Sequence, residues 1–470
     1  MAHDAAPTSP SRKATTFQLV FMTYSVICSG AYGLEEMVSS SGPGMTMLTL
    51  VVLPFIWAVP VSLACAELSS RYPVEGGYYR WARMAFGDFT GYMAGWLVWL
   101  ANLATNGTFA VLFANYLRYF FPDMPARWHW IAALALVWAT VYMNYRGIRL
   151  VGNTSVVFTI LIFFPFLVMS VLGLLHWRFS PVVPFVNPER APLGAFNAGL
   201  MIAIWLYAGF EKLTTNAAEV ERPSRAFPIA LAFAVPMTAA SYIIPTLAAL
   251  AAHDNWRRWG ESYFTVTAQA IGGPRLGAAM AAGGLVSDAC LLMVTILGQS
   301  RLPMVMAEDG LFPQVFRRTS RRFGTPVVSL LVGGLALSGL CRLKFSYLTG
   351  LFSIVQVLAY MLIYAALLRL RTHPPRHAVG SGTDARAVPV AAVSGGGPSG
   401  AAGAQNTERP FRIPLGTGGL VLMTLPSIVL AALVMVQSVW HDGVLDRTQA
   451  IVDLAVFASV PVTYLIFRRK

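Results

Sequence analysis

A chain of 470 residues that is 56% hydrophobic and only 12% charged, with a mean hydropathy of +0.59, is too apolar for a water-soluble domain of its size. A net charge of +13 invites a nucleic-acid reading. The Lys and Arg residues instead fall between long apolar runs, where they report membrane topology, and nucleic acid is set aside as a partner.

A helix crosses a bilayer with roughly 20 apolar residues. Twelve such runs follow one another at 17–39, 45–69, 86–120, 128–144, 151–176, 196–218, 227–252, 276–302, 326–341, 345–370, 418–440 and 448–467, which predicts an all-α membrane protein with 12 transmembrane helices. The polar segment 1–16 has no apolar core of a signal peptide and reads as a cytoplasmic N-terminal tail. With the N-terminus inside, the cytoplasmic loops hold 23 of the 34 Lys and Arg, the opposite loops hold 10, and Lys212 lies within a helix. The positive-inside rule therefore places both termini in the cytoplasm, and the cell membrane is the expected location. Cys28, Cys65, Cys290 and Cys341 fall in or beside apolar runs, with spacings that suit neither a disulfide framework nor a zinc site.

The first run holds Ser29-Gly30-Ala31-Tyr32-Gly33, two glycines and a serine in mid-span. Glycine costs about 1 kcal/mol in a helix interior. An unwound turn there would line a cavity, and its free amides could hold a substrate carboxylate. Close helix packing through a small Gly30 is the alternative. Glu35 and Glu36 follow at once. A carboxylate inside a span costs at least about 2.5–3.5 kcal/mol on insertion scales, which makes both acids functional candidates. Adjacent residues stand about 100° apart on a helix, so one acid faces a cavity and the other a structural partner, unless both reach the interface near Ser39.

The sixth run carries Trp205-Leu206-Tyr207-Ala208-Gly209-Phe210-Glu211-Lys212. Trp205 and Tyr207 could stack over a cationic substrate, and Glu211 could bind a proton or an amine, or simply be compensated by Lys212. Gly33-Leu34-Glu35 and Gly209-Phe210-Glu211 echo each other five helices apart. An odd number of crossings reverses the direction of entry, the mark of an inverted repeat. The expected organisation is a five-helix repeat over 17–176, its inverted partner over 196–370, a disordered cytoplasmic loop over 372–408, and helices 11 and 12 over 418–467. Asp288, beside Ser287 in the eighth run, is a third intramembrane acid that serves either a cavity or a helix contact. Thr154, Ser155 and Thr159 are weaker polar signals in the fifth run. The chain shows no nucleophile elbow and no phosphate-binding loop, so no enzyme, ATP site or cofactor is expected.

At these motifs the chain resembles the amino acid, polyamine and organocation superfamily of permeases. Leu206-Tyr207-Ala208-Gly209-Phe210-Glu211, continuing through Ala218-Glu219-Val220-Glu221-Arg222-Pro223, is similar to the sixth helix and the following loop of such permeases. Met306-Ala307-Glu308-Asp309-Gly310-Leu311-Phe312-Pro313 is similar to the loop after their eighth helix. Within the superfamily the chain most resembles the polyamine:proton symporters, through Ser29 to Glu36, Pro54-Phe55-Ile56-Trp57, Gly76-Gly77-Tyr78, Asn144-Tyr145-Arg146-Gly147 and Arg409-Pro410-Phe411-Arg412-Ile413-Pro414.

The resemblance implies the leucine-transporter fold, a 5+5 inverted repeat with interrupted first and sixth helices and the substrate between them. It also implies that Ser29, Gly30 and Ala31 form the carboxylate-binding turn, that Trp205 is an aromatic gate, and that Glu211 responds to pH or binds an amine. Two departures stand out: there is no fifth-helix lysine near Thr159, and Thr105 beside Asn106 replaces a third-helix acid. The second puts an amino acid level with a polyamine as the small-molecule substrate. The expected substrate site comprises Ser29, Gly30, Ala31, Tyr32, Gly33, Trp205, Tyr207, Ala208 and Asn106, with Glu35, Glu36, Glu211 and Asp288 binding protons or amine. The expected activity is proton-coupled uptake, with amine exchange or ligand sensing without flux as alternatives. Oligomeric state is left open.

Overall fold

The computed structural model describes residues 15–28, 30–72, 74, 76–146, 155–210, 223–253, 255–373, 411–441, 444–445 and 447–468. These residues fold almost wholly as α-helix: α1 (Thr16–Ile27), α2 (Glu35–Ser41), α3 (Pro43–Leu53), α4 (Val59–Arg71), α5 (Gly77–Phe86), α6 (Asp88–Leu117), α7 (Ala126–Arg146), α8 (Ser155–Leu175), α9 (Pro192–Leu206), α10 (Pro223–Ala252), α11 (Tyr263–Gly272), α12 (Pro274–Glu308), α13 (Val327–Leu340), α14 (Phe345–Thr372), α15 (Thr417–Val439) and α16 (Arg447–Arg468). A two-residue hairpin, Trp440–His441 against Val444–Leu445, joins the last two. Ser29, Glu211, Lys212, Thr154 and the 374–410 stretch lie outside the described residues.

Six helices or helix pairs among the described residues are long and apolar enough to cross a bilayer, and four shorter apolar helices accompany them. The side chains are arranged for lipid. On α8, Leu161, Phe164, Leu167, Val171 and Leu174 are exposed at helical spacing, while Ile162, Phe166 and Met169 are buried. A surface of that kind is an aggregation liability in water and ordinary in hydrocarbon.

Several expected spans differ in detail. The run 17–39 is two helices, α1 and α2, with irregular backbone between them, because Gly30 and Gly33 take positive φ angles of 95° and 88°. In the described part of the run 196–218, up to Phe210, the helix ends at Leu206 and Gly209 takes φ 113°. The third run, 86–120, corresponds to α6, and Gly87 at φ 91° separates it from the amphipathic α5, which was not expected as a helix of its own. The short α11 was not expected at all.

The second run bends through a π-helical turn, Pro54–Ala58, whose cause lies in its prolines. Pro54 and Pro60 lack the amides that would bond the carbonyls of Leu50 and Ile56. Side chains replace them: the Tyr207 hydroxyl donates to Leu50 O at 2.7 Å, and the Ser427 hydroxyl donates to Ile56 O at 2.6 Å. The ring of Trp57 packs on Tyr360 of α14, 5.3 Å between centroids.

At the core, α6 packs most extensively against α12 and α14, and α1 lies along α10. One end of the bundle is held by buried ions. Glu67 of α4 and Arg371 of α14, with side chains 1% and 2% exposed, form a two-pronged pair. Glu67 also accepts the Ile413 amide at 2.9 Å, while Arg371 donates to the carbonyls of Leu415 and Ile413, and Ser70 donates to Phe411 O. The segment before α15 is thereby strapped across α4 and α14. At the same end Arg80 and Arg83 of α5 close on Asp309 beyond α12 at 3.3 and 3.1 Å.

Removing one partner of a buried pair strands the other charge, at a cost of about 3–5 kcal/mol. Arg371→Met should therefore lower the thermal denaturation midpoint in detergent well below that of Ser70→Ala, which removes one neutral hydroxyl shared between the carbonyls of Glu67 and Phe411. Equal midpoints for the two variants would show that the strap does not hold the fold.

Candidate functional site

The two helix breaks lie side by side. The α1 half ends at Ile27 and the α9 half at Leu206, and a helix C-terminus leaves carbonyls unbonded and carries partial negative charge. One hydroxyl meets both ends: Tyr242 of α10 contacts Leu206 O at 3.2 Å and Ile27 O at 3.4 Å. Two negative dipole ends thus converge on one place.

Between them lies a contracted cavity of about 40 Å³, lined by residues that include Gly30, Tyr32, Thr105, Trp205, Ala208 and Asp288. A water needs at least about 10–15 Å³ on this measure, so the cavity holds a few waters and must widen to admit anything larger. Its aromatic walls are fixed by polar contacts. The Trp205 indole N–H donates to Thr105 Oγ1 at 2.6 Å, and the Tyr32 hydroxyl donates to Met280 O at 3.0 Å. Gly283 and Gly284 of α12 allow this approach, since a Cβ on either would stand 2.4 Å from the Tyr32 hydroxyl or 2.7 Å from the Tyr116 ring.

Asp288 is 1% exposed, and its Oδ2 has no hydrogen-bond partner among the described residues. Of the residues lining the cavity it alone is charged. A buried carboxylate without a partner is costly, which makes an intramembrane one a functional candidate.

Glu35 is equally buried but fully engaged. Its Oε2 accepts the Gly33 amide at 2.7 Å and its Oε1 accepts the Tyr116 hydroxyl at 2.8 Å. It pins the unwound turn to α6 and does not line the cavity. Glu36 faces away, into a second cavity considered below.

Of the expected site residues, Gly30, Tyr32, Trp205, Ala208 and Asp288 come together at the cavity, with Ala31 and Gly33 buried in the adjoining turn. Tyr207 bonds Leu50 O and is absent from the lining. Asn106 sits behind Thr105, bonded to Gln299 and Thr295 of α12. Thr105, Phe109, Tyr242 and Phe352 line the cavity without having been expected there. Thr105 carried a signal as a polar residue at third-helix mid-span, whereas the two phenylalanines and Tyr242 look like ordinary packing residues. Among the described residues no group of three His, Cys, Asp or Glu side chains converges as a metal site would require.

A family model described as amino acid permease matches residues 15–444. The chain belongs to the amino acid permease family. This permease is 30% identical to a probable polyamine transporter of Arabidopsis thaliana, over 93% of this chain and 82% of that protein. It is also similar to polyamine transporter RMV1 of A. thaliana, at 29% identity over 91% of this chain and 82% of the relative. Polyamine transporter PUT1 of Oryza sativa subsp. japonica is 27% identical over 92% of this chain and 75% of its own. With its apolar helices, the permease is an integral membrane protein and a transporter of small molecules, not an enzyme.

The break at Gly33 gives the permease a sharp test. An alanine there adopts left-handed backbone at a cost of about 1–2 kcal/mol, and its Cβ would stand 2.9 Å from the Trp205 ring. Gly33→Ala should lower both uptake and the thermal midpoint, whereas Gly350→Ala, whose Cβ finds only Met201 Sδ at 3.7 Å, should leave both near wild type. Wild-type uptake by the Gly33 variant would show that the turn does not set the gate.

Proposed function

We propose that this permease is a secondary active transporter that imports a small organic amine, a polyamine foremost, by proton symport through alternating access. The observation that carries this reading is Asp288: a buried, unpartnered carboxylate, reached by the negative ends of two half-helices, in a cavity with no Lys or Arg among its lining residues. Such a place favours an ammonium group, and the rings of Tyr32 and Trp205 are suited to it as well. The departure noted at the third helix is consistent with this, because Asp288 of α12 and Thr105 of α6 line the same cavity. An acid from the eighth helix can serve where the third has none. The names of the relatives point the same way.

The architecture that supports alternating access is the twelve-helix, leucine-transporter arrangement, with repeats over 17–176 and 196–370 and both termini cytoplasmic in the cell membrane. The positive φ of Gly33 and of Gly209, at matching points of the two broken helices, supports the inverted repeat. For coupling, Glu35 is the proton acceptor: its bonds to Gly33 and Tyr116 tie α2 to α6, and protonation removes one acceptor position from that tie. Glu36 and Glu211 remain further acids for the same task.

An α-amino acid substrate is the second reading, because the amides of Gly30 and Ala31 have no acceptor among the described residues and could hold a carboxylate.

Uptake of labelled spermidine and of labelled amino acids into proteoliposomes separates these readings. Asp288→Asn should raise the spermidine KM at least about thirtyfold, as expected when a buried charge loses its partner. Glu35→Gln should keep spermidine binding while uptake ceases to follow the proton gradient. Accumulation that survives collapse of the gradient refutes symport and favours exchange, and uptake of neutral amino acids without spermidine refutes the amine reading.

A further inference from the structure

A second cavity, about 550 Å³, opens beyond α2 and is lined by residues of α2, the end of α6, the loop 253–262 and α11. With the N-terminus cytoplasmic, it lies on the outer face. Toward the central cavity, Glu35 is bonded to Tyr116, whose ring packs edge-on to Tyr32, a lining residue of that cavity, at 5.1 Å.

Two carboxylates face this cavity, Glu36 and Glu261, both half-buried. Glu36 Oε2 is buried and has no partner among the described residues. Glu261 is held in place by a relay. His129 Nε2 donates to Asn115 Oδ1 at 2.6 Å, and the Asn115 amide donates to Glu261 Oε2. The wall beside them is Trp259, 1% exposed and stacked on Tyr263 at 5.7 Å, with its indole N–H lacking any acceptor among the described residues. A buried donor left empty costs about 1–3 kcal/mol, and only an acceptor on a ligand, such as a carboxylate, would fill it, since an ammonium has none. The cations in reach are Arg118 on the rim and Arg190 and Lys344 near Glu36, and all three are exposed. Solvent screens exposed charges far more than the half-buried acids. The net character of the cavity is therefore that of an ammonium site: two positioned carboxylates, one of which, Glu36, keeps a buried oxygen with no partner among the described residues.

We infer that this outer cavity is a second binding site of the transporter, in which Glu36 and Glu261 capture a primary ammonium group before it passes Tyr116 and Tyr32 to Asp288. The inference rests on the reading of the cargo as an amine. A linear polyamine presents such a group at each end. A ligand that also bears a carboxylate would find the Trp259 N–H and Arg118, so spermidine and lysine are both probes. Burial, reinforced by the charge of Glu36, raises the Glu261 carboxyl to about 7. Capture needs that carboxylate ionised, so it is strong above pH 7 and is lost as the pH falls below it. The groups facing Glu261 in this range are Glu36, Arg118 and, through Asn115, His129.

The test uses the full chain in proteoliposomes. Equilibrium binding of labelled spermidine and labelled lysine is measured at pH 8 and pH 6 for wild type, Asp288→Asn, and Asp288→Asn combined with Glu261→Gln or with Trp259→Leu. The expected result is a component of binding that survives Asp288→Asn, weakens at pH 6, and disappears when Glu261→Gln is added, while adding Trp259→Leu weakens the lysine component alone. Glu261→Gln alone should raise the uptake KM about tenfold with kcat unchanged, the effect of one lost charge contact at fixed turnover. Asn115→Ala, which frees Glu261 without neutralising it, should give a smaller rise and guards against a folding defect in Glu261→Gln. If Asp288→Asn abolishes all binding, or if the surviving component ignores Glu261 and Trp259, the outer site is overturned while the amine reading stands. If neither probe binds wild type, both fall.

Discussion

Hydrocarbon offers no hydrogen bonds, so every backbone group that leaves helical pairing at membrane depth needs a partner from the protein. That constraint organises this structure. Breaking α1 and α9 releases carbonyls at Ile27 and Leu206, and the single Tyr242 hydroxyl proton is shared between them. Prolines in the second helix release carbonyls at Leu50 and Ile56, and Tyr207 and Ser427 answer those. The turn after α1 returns an amide, and Glu35 takes it. Each irregularity is stitched to a neighbouring helix, so the breaks are fixed points of the fold and can carry a site.

Within this frame the acids divide by how completely they are satisfied. Glu67 and Asp309 are closed off by arginines at one end of the bundle and hold segments together. Glu35 is closed off by an amide and a phenol and holds a turn. Asp288 and Glu36 each retain a buried oxygen with no partner among the described residues. Each of these two acids lies in its own cavity, which is what the proposed capture of a positively charged group requires.

Much of this was legible in the sequence, for reasons that can be named. The all-helical membrane character follows from apolar length alone. The break in the first helix follows from Gly30 and Gly33, because left-handed backbone is a local property of glycine. Asp288 was legible because a lone carboxylate in a span has few explanations. Other features depend on tertiary neighbours. Nothing near Tyr207 marks it as the partner of Leu50, since the unbonded carbonyl arises at Pro54, more than a hundred residues earlier. Tyr242 in a proline-rich apolar run resembles packing, and only the meeting of two helix ends gives its hydroxyl a purpose. Glu261 looks like a loop acid until Asn115 and His129 arrive from other helices to hold it.

The second helix draws these threads into a mechanical consequence. Its two unbonded carbonyls, Leu50 and Ile56, are tethered to opposite clients: Leu50 to the unwound strand beyond α9, and Ile56 to the peripheral α15. Displacement of the Tyr207 strand must either drag the second helix along or sever its hydroxyl tether. If the helix follows, the pull passes through the π-helical turn to α15, six residues away along the same rod. The peripheral α15 is therefore geared to the central cavity although it contributes none of its lining residues.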